Sequence, residues 1–177
     1  GNTYQVSWGL RERGRRELIR AAGIMPRRIL YGFAGAMVNE AIGGITCTQT
    51  LSAGAADKES TNVTDNWRLS VPNGTFNMVL DPSDPLCLGY DAQEVFYLVA
   101  PISYSTAEGV APIAFRDEDC FRNGFNKRKG EYDGQFAAIH RCRDGLHTVL
   151  LGFDPTFRKY TDKTYRILTN AIYAVCE

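Results

Sequence analysis

Histidine is scarce in this chain: His140 and His147 are the two found among 177 residues. Hydrolytic metal sites gather two or three His or carboxylate ligands on one ion. Neither histidine belongs to an H-x-x-E or H-E-x-x-H pattern, so no metal and no other cofactor is expected. No C-x-x-C pair occurs, and G-x-x-x-x-G-K-[ST] and G-x-G-x-x-G are both missing, which removes the phosphate loop and the dinucleotide fingerprint. Net charge is also missing. Twenty basic residues balance twenty acidic ones, so nothing global draws the chain to nucleic acid or to an anionic membrane. The apolar runs are far too short to span a bilayer. No signal peptide is visible, although one could have been cut away.

What is present is ordinary for a globular domain. Apolar residues make up 44% and charged residues 23%, and the length suits one domain with a sizeable core. The five cysteines, Cys47, Cys87, Cys120, Cys142 and Cys176, are scattered. Their number is compatible with one or two disulfides or with five buried thiols. Asn62-Val-Thr and Asn73-Gly-Thr fit the N-glycosylation pattern, but two polar surface loops explain them as well.

Periodicity gives the elements. Residues 10–22 read as an amphipathic helix, with Leu10, Leu18, Ile19 and Ala22 on one side and Gly23 as its stop. Residues 28–33 read as a short strand that passes through Gly32 and Gly35 into a helix over 36–42. Residues 43–66, rich in small and polar side chains, read as a long surface excursion with room for one short strand. Strands are predicted over 67–71, 76–80, 95–100 and 111–115, with a proline-punctuated turn at 81–85. Residues 121–134 read as loop with at most a short extended piece. Residues 135–141 and 147–153 read as a hairpin turned at Asp144-Gly145. The strongest helix is 160–175, capped by Thr161 or Asp162. Strands alternating with helices at both ends of a strand-rich middle predict an α/β layered domain, its mixed sheet central and flanked by helices.

The search for chemistry turns up fragments. His140, Cys142 and His147 can gather across the hairpin turn, since His140 and Cys142 share strand parity. A cysteine enzyme would use Cys47 or Cys142, served by His140 or His147, near a helix N-terminus. At Tyr31-Gly-Phe-Ala-Gly-Ala36, a G-x-nucleophile-x-G turn would place its nucleophile at Ala34, which carries no nucleophilic atom. Asp117 and Asp119 are too few oxygens for Ca²⁺. The basic run Arg122–Lys129 is flanked by acids and reads as a solvated loop.

Several segments carry a resemblance. Leu150-Leu-Gly-Phe-Asp-Pro-Thr-Phe-Arg158 with Thr164-Tyr-Arg-Ile-Leu-Thr-Asn-Ala-Ile172, Asp84-Pro-Leu-Cys-Leu-Gly-Tyr90 and Phe121-Arg-Asn-Gly124 resemble parts of one domain. It is the class I glutamine amidotransferase-like tail domain of secreted zinc carboxypeptidases. The resemblance spans most of residues 9–175 and thins between 43 and 75. It implies a flavodoxin-like fold whose first strands are missing here, either because the fold is trimmed and rebuilt or because part of the domain lies outside this chain. The zinc ligands of that family sit in its peptidase domain, so no residue here inherits a zinc or peptidase role. The resemblance implies a secreted, non-catalytic accessory domain whose partner is protein, either the peptidase domain or a second copy. The loops 43–66 and 116–134 are the expected contact regions. Arg116, Arg158 and Asn170 are candidate binding residues. A small-ligand module with its pocket at the strand carboxyl ends and the cysteine enzyme above are the alternatives.

Overall fold

The computed structural model describes residues 11–51, 73–125, 130, 132–157 and 162–176. Helix α1 (Arg11–Ile24) leads into strand β1 (Arg27–Tyr31) and helix α2 (Gly32–Ala41). Strands β2 (Cys47–Leu51), β3 (Asn73–Leu80), β4 (Gln93–Val99), β5 (Ile102–Ala107), β6 (Val110–Phe115), β7 (Phe121–Gly124), β8 (Phe136–Arg143) and β9 (Leu146–Leu151) follow, and helix α3 (Asp162–Cys176) comes after them. A single 3-10 turn, Pro85–Cys87, sits between β3 and β4. The strands form one nine-stranded sheet with the path β1-β9-β8-β6-β3-β4, while β5 joins β2 to β8 and β7 lies beside β3. This is the layered α/β domain with a mixed sheet that the sequence predicts.

The registers do not confirm the flavodoxin-like arrangement that the resemblance implies. The β1–β9 pair is parallel, and the other pairings are antiparallel. The physical reason is the connections. Among the described residues, strands from β3 to β9 follow one another without an intervening α-helix, and short links favour antiparallel neighbours.

Local chemistry explains the elements. Asp144 (φ +51°) and Gly145 (φ +76°) make the two-residue turn expected of Asp-Gly and set Arg143 opposite Leu146. Helix α2 starts at Gly32 rather than at 36, directly after β1. Gly35 is required there, because a Cβ on it would lie 2.7 Å from the Leu30 carbonyl carbon. Ala34 therefore belongs to the first turn of the helix instead of an exposed elbow. Strand β5 is not among the strands the sequence predicts, and β2 falls within 43–66, where a single short strand is expected. The predicted strand at 67–71 and the glycosylation pattern at Asn62 lie outside the described residues. The other pattern, Asn73 to Thr75, opens β3 rather than a loop.

Two cores form, one on each face of the sheet. The larger runs from Phe76, Phe96 and Phe115 through Tyr132, Leu151 and Phe153 to Ile167 and Ala171 of α3. The smaller holds Ala36 of α2 with Ile45, Ile102, Tyr104, Ile139 and Leu150.

The segments that carry the resemblance pack on one another in the larger core. Asp84 caps the 3-10 turn by accepting from the Leu86 N–H at 2.9 Å. Asn170 of α3 donates from Nδ2 to the carbonyls of Leu86 (3.0 Å) and Leu88 (2.9 Å). The Tyr90 hydroxyl donates to the Lys163 carbonyl, and the Arg166 guanidinium stacks 5.4 Å from the Tyr90 ring centre. Asp154 closes an Asx turn onto Thr156, and the Thr164 hydroxyl donates to the Pro155 carbonyl.

Candidate functional site

The hairpin brings the sequence candidates onto one face. His140 and Cys142 of β8 and His147 of β9 share it with Ala138, Val149 and Leu151, the face covered by α3. Cys142 sits opposite His147 in the register, and its Sγ lies 3.4 Å from His147 Nε2. Two register steps away, His140 Nδ1 lies 3.2 Å from Asp84 Oδ2, an ion-pair distance without the alignment of a hydrogen bond.

The parts of a nucleophilic triad are therefore close but divided. One imidazole has the thiol, and the other has the carboxylate. A working triad needs a single imidazole between them. The helix N-terminus expected beside the thiol is also elsewhere. In the register, Cys142 and His147 line up with Arg27, at the start of β1, whereas α2 begins after Tyr31 at its other end. Four residues of strand separate these ends by roughly 13 Å. The second suggested nucleophile, Cys47, packs against the smaller core on the α2 face. The sheet lies between it and both histidines, so neither can serve it. Among the described residues, no group of three or more His, Cys, Asp or Glu side chains is placed to hold a metal ion.

The other candidates are used by the fold. Arg116 donates to the carbonyls of Glu118 (2.9 Å) and Asp119 (3.1 Å), clasping the turn in which Asp119 takes φ +49°. Asn170 fastens α3 to the 3-10 turn as above. Arg158 lies outside the described residues. All five cysteines are free. They are not all buried, however: Cys87 and Cys120 are, Cys47 is half-buried, and Cys142 and Cys176 are exposed.

A second place was not named from the sequence. Beneath the C-terminal half of α2 is a half-open cavity of about 300 Å³. Ala36, Ile45 and Leu150 give it apolar walls, Glu40 stands exposed at its rim, and Cys47 and Tyr104 line it from the sheet. Its shape depends on the loop after α2. Asn39 holds that loop by accepting from the Ile45 N–H and donating to the Ile45 carbonyl, both at 2.8 Å. Gly44 is fixed by the same contact, since a Cβ there would come within 2.2 Å of Asn39 Oδ1.

Tyr104 is the unusual member. It is fully buried, yet its hydroxyl has no hydrogen-bond partner. Burial, with a smaller contribution from Cys47 nearby, holds its phenol far above the ordinary tyrosine range. Burial also raises the Cys47 thiol. Both groups are thus neutral at pH 7. This cavity lies under the C-terminal half of α2, away from Gly32 at the end of β1. The signal missed in the sequence was Tyr104 itself, a large polar aromatic between Ser103 and Ser105 in a strand that was not predicted.

Compared with known proteins, the chain matches no family model and no curated sequence.

Proposed function

We propose that this chain is a non-catalytic binding domain that holds a small ligand in the cavity beneath α2. The observation that carries the reading is the Tyr104 hydroxyl. A buried polar group without a partner costs about 1–3 kcal/mol, and such groups in native folds call for a specific account. A ligand that supplies the missing partner is that account here, in a cavity at the small end of the range that ligand pockets occupy. The division of thiol, imidazole and carboxylate between two histidines supports a binding role over a catalytic one, as does Ala34 in the first turn of α2. We further propose that the domain serves a secreted zinc carboxypeptidase as its accessory part, with the peptidase domain or a second copy as protein partner. Support for this comes from the quoted segments, whose side chains make one joint between the 84–90 turn and α3.

Two buried tyrosines make the test. Tyr132 donates to the Pro101 carbonyl at 3.1 Å, whereas Tyr104 donates to nothing. Without ligand, Tyr132→Phe is expected to cost about 1 kcal/mol in urea unfolding, and Tyr104→Phe to cost nothing or to stabilise. In a ligand-observed NMR screen of small fragments, hits on the wild type are expected to weaken in Tyr104→Phe. They are expected to vanish in Ala36→Leu, which fills the cavity from the helix side. A Tyr104→Phe protein that is as destabilised as Tyr132→Phe and binds fragments like the wild type would remove the reading.

A further inference from the structure

The groups lining the cavity also restrict what it can hold. Among the described residues that line it there is no lysine, arginine or histidine, and Glu40 is the one side chain of fixed charge. No ion pair of Glu40 is found among the described residues, and its carboxylate is exposed at the rim. An anion placed inside would lose its hydration, gain no countercharge and meet Glu40, so anions are selected against by desolvation and repulsion together. Asn39 offers little in compensation, because its amide oxygen and nitrogen are both bonded to Ile45. Gly43, Gly44 and Thr46 also line it, and its sheet-side members Cys47 and Tyr104 carry a thiol and a hydroxyl that burial keeps neutral. The hydroxyl is the stronger donor of the two.

We infer that the cavity takes a small molecule carrying a protonated amine at one end and an uncharged oxygen acceptor at the other. The amine faces Glu40 at the rim. The acceptor receives the Tyr104 hydroxyl proton, and a short apolar stem lies along Ala36, Ile45 and Leu150. The inference rests on the ligand-binding reading above and adds the class of ligand to it.

The test uses four compounds with the same four-carbon stem: 4-amino-1-butanol, n-butylamine, 1,4-butanediol and 4-hydroxybutyrate. Each is titrated onto the whole chain by saturation-transfer NMR at pH 7. The amino alcohol is expected to bind most tightly, about fivefold better than the diol, the size of effect that one solvent-exposed ion pair can give. The hydroxy acid is expected not to bind. Glu40→Gln should bring the amino alcohol down to the diol, and Tyr104→Phe should bring it down to n-butylamine. If the diol or the hydroxy acid binds the wild type as well as the amino alcohol, or Glu40→Gln changes nothing, the ligand class is wrong while the cavity remains a binding site. If none of the four binds, and Ala36→Leu behaves as the wild type does, the binding reading falls as well.

Discussion

On one side of the sheet, Phe76, Phe115 and Tyr132 meet at ring-centre distances of 4.9 to 5.3 Å in a core that continues to α3. On the other side, α2 meets the sheet through Gly35 and Ala36 and leaves about 300 Å³ unfilled. The buried hydroxyls follow the same division. On the α3 side, the buried hydroxyls of Tyr132, Tyr90 and Thr164 and the amide of Asn170 each have a partner. On the α2 side Asn39 is satisfied and Tyr104 is not. The difference teaches where the molecule spends its residues on stability and where it leaves room. Large, interlocking side chains fix one face, where His140 Nδ1, held at ion-pair distance from Asp84, is a buried atom without a hydrogen bond. Small residues on a short helix keep the other open.

The comparison breaks first if the two cores respond alike to truncation. Phe76→Ala removes the ring shared by three aromatic contacts and is expected to cost about 3–5 kcal/mol. Ile45→Ala on the α2 side borders an existing cavity and is expected to cost about 2 kcal/mol. Urea unfolding of both variants gives the two values, and equal losses would mean that the faces are equally packed.

A smaller effect sharpens the account of α3. Asn170→Ala leaves the Leu86 and Leu88 carbonyls without their donor, and a cost of about 1–3 kcal/mol is expected in the same measurement. The value should be lost equally from the native state of Asn170→Asp, since a carboxylate has no N–H to give. A variant that is as stable as the wild type would show that the joint between α3 and the 84–90 turn is held by other contacts.

A further expectation concerns pH. Burial pushes the Cys87 thiol up to about 12 and raises Cys120, Tyr90 and Tyr104 above their ordinary ranges. In each case the folded chain keeps its proton to higher pH than the unfolded chain does. The stability these groups contribute is therefore complete below the unfolded values and is lost as pH rises through the folded ones. The urea midpoint is expected to be level near pH 8 and to fall progressively toward about pH 11. Tyr104→Phe should make the fall shallower by removing the α2-side member. A midpoint that stays level over that range would contradict the burial of these groups.

How much of this was legible in the sequence varies by element. The hairpin was, because Asp144-Gly145 states its own turn type and thereby sets the β8–β9 register. Helix α3 was, because its apolar residues recur at helical spacing with Asp162 in the first turn. Strand β5 was not, since Ile102-Ser-Tyr-Ser-Thr-Ala mixes small polar residues into a run too short for a clear alternation. Its pairing with β2 and β8 holds it in place. Of the site candidates, the sequence could place His140, Cys142 and His147 on one face from parity alone. It could not say that the thiol and the carboxylate would fall to different imidazoles, because Asp84 arrives from a turn more than fifty residues upstream.

The sequence by itself determined the class of fold, the hairpin, the long C-terminal helix and the lack of any phosphate or dinucleotide fingerprint. These rest on spacing and on turn chemistry, which act between neighbours in the chain. Tertiary structure alone decided the antiparallel order of the sheet, the division of the two histidines and the cavity beneath α2. The cavity draws its walls from α2, the following loop, β5 and β9. Whether a buried hydroxyl such as that of Tyr104 finds a partner depends on which of those distant segments come to rest around it.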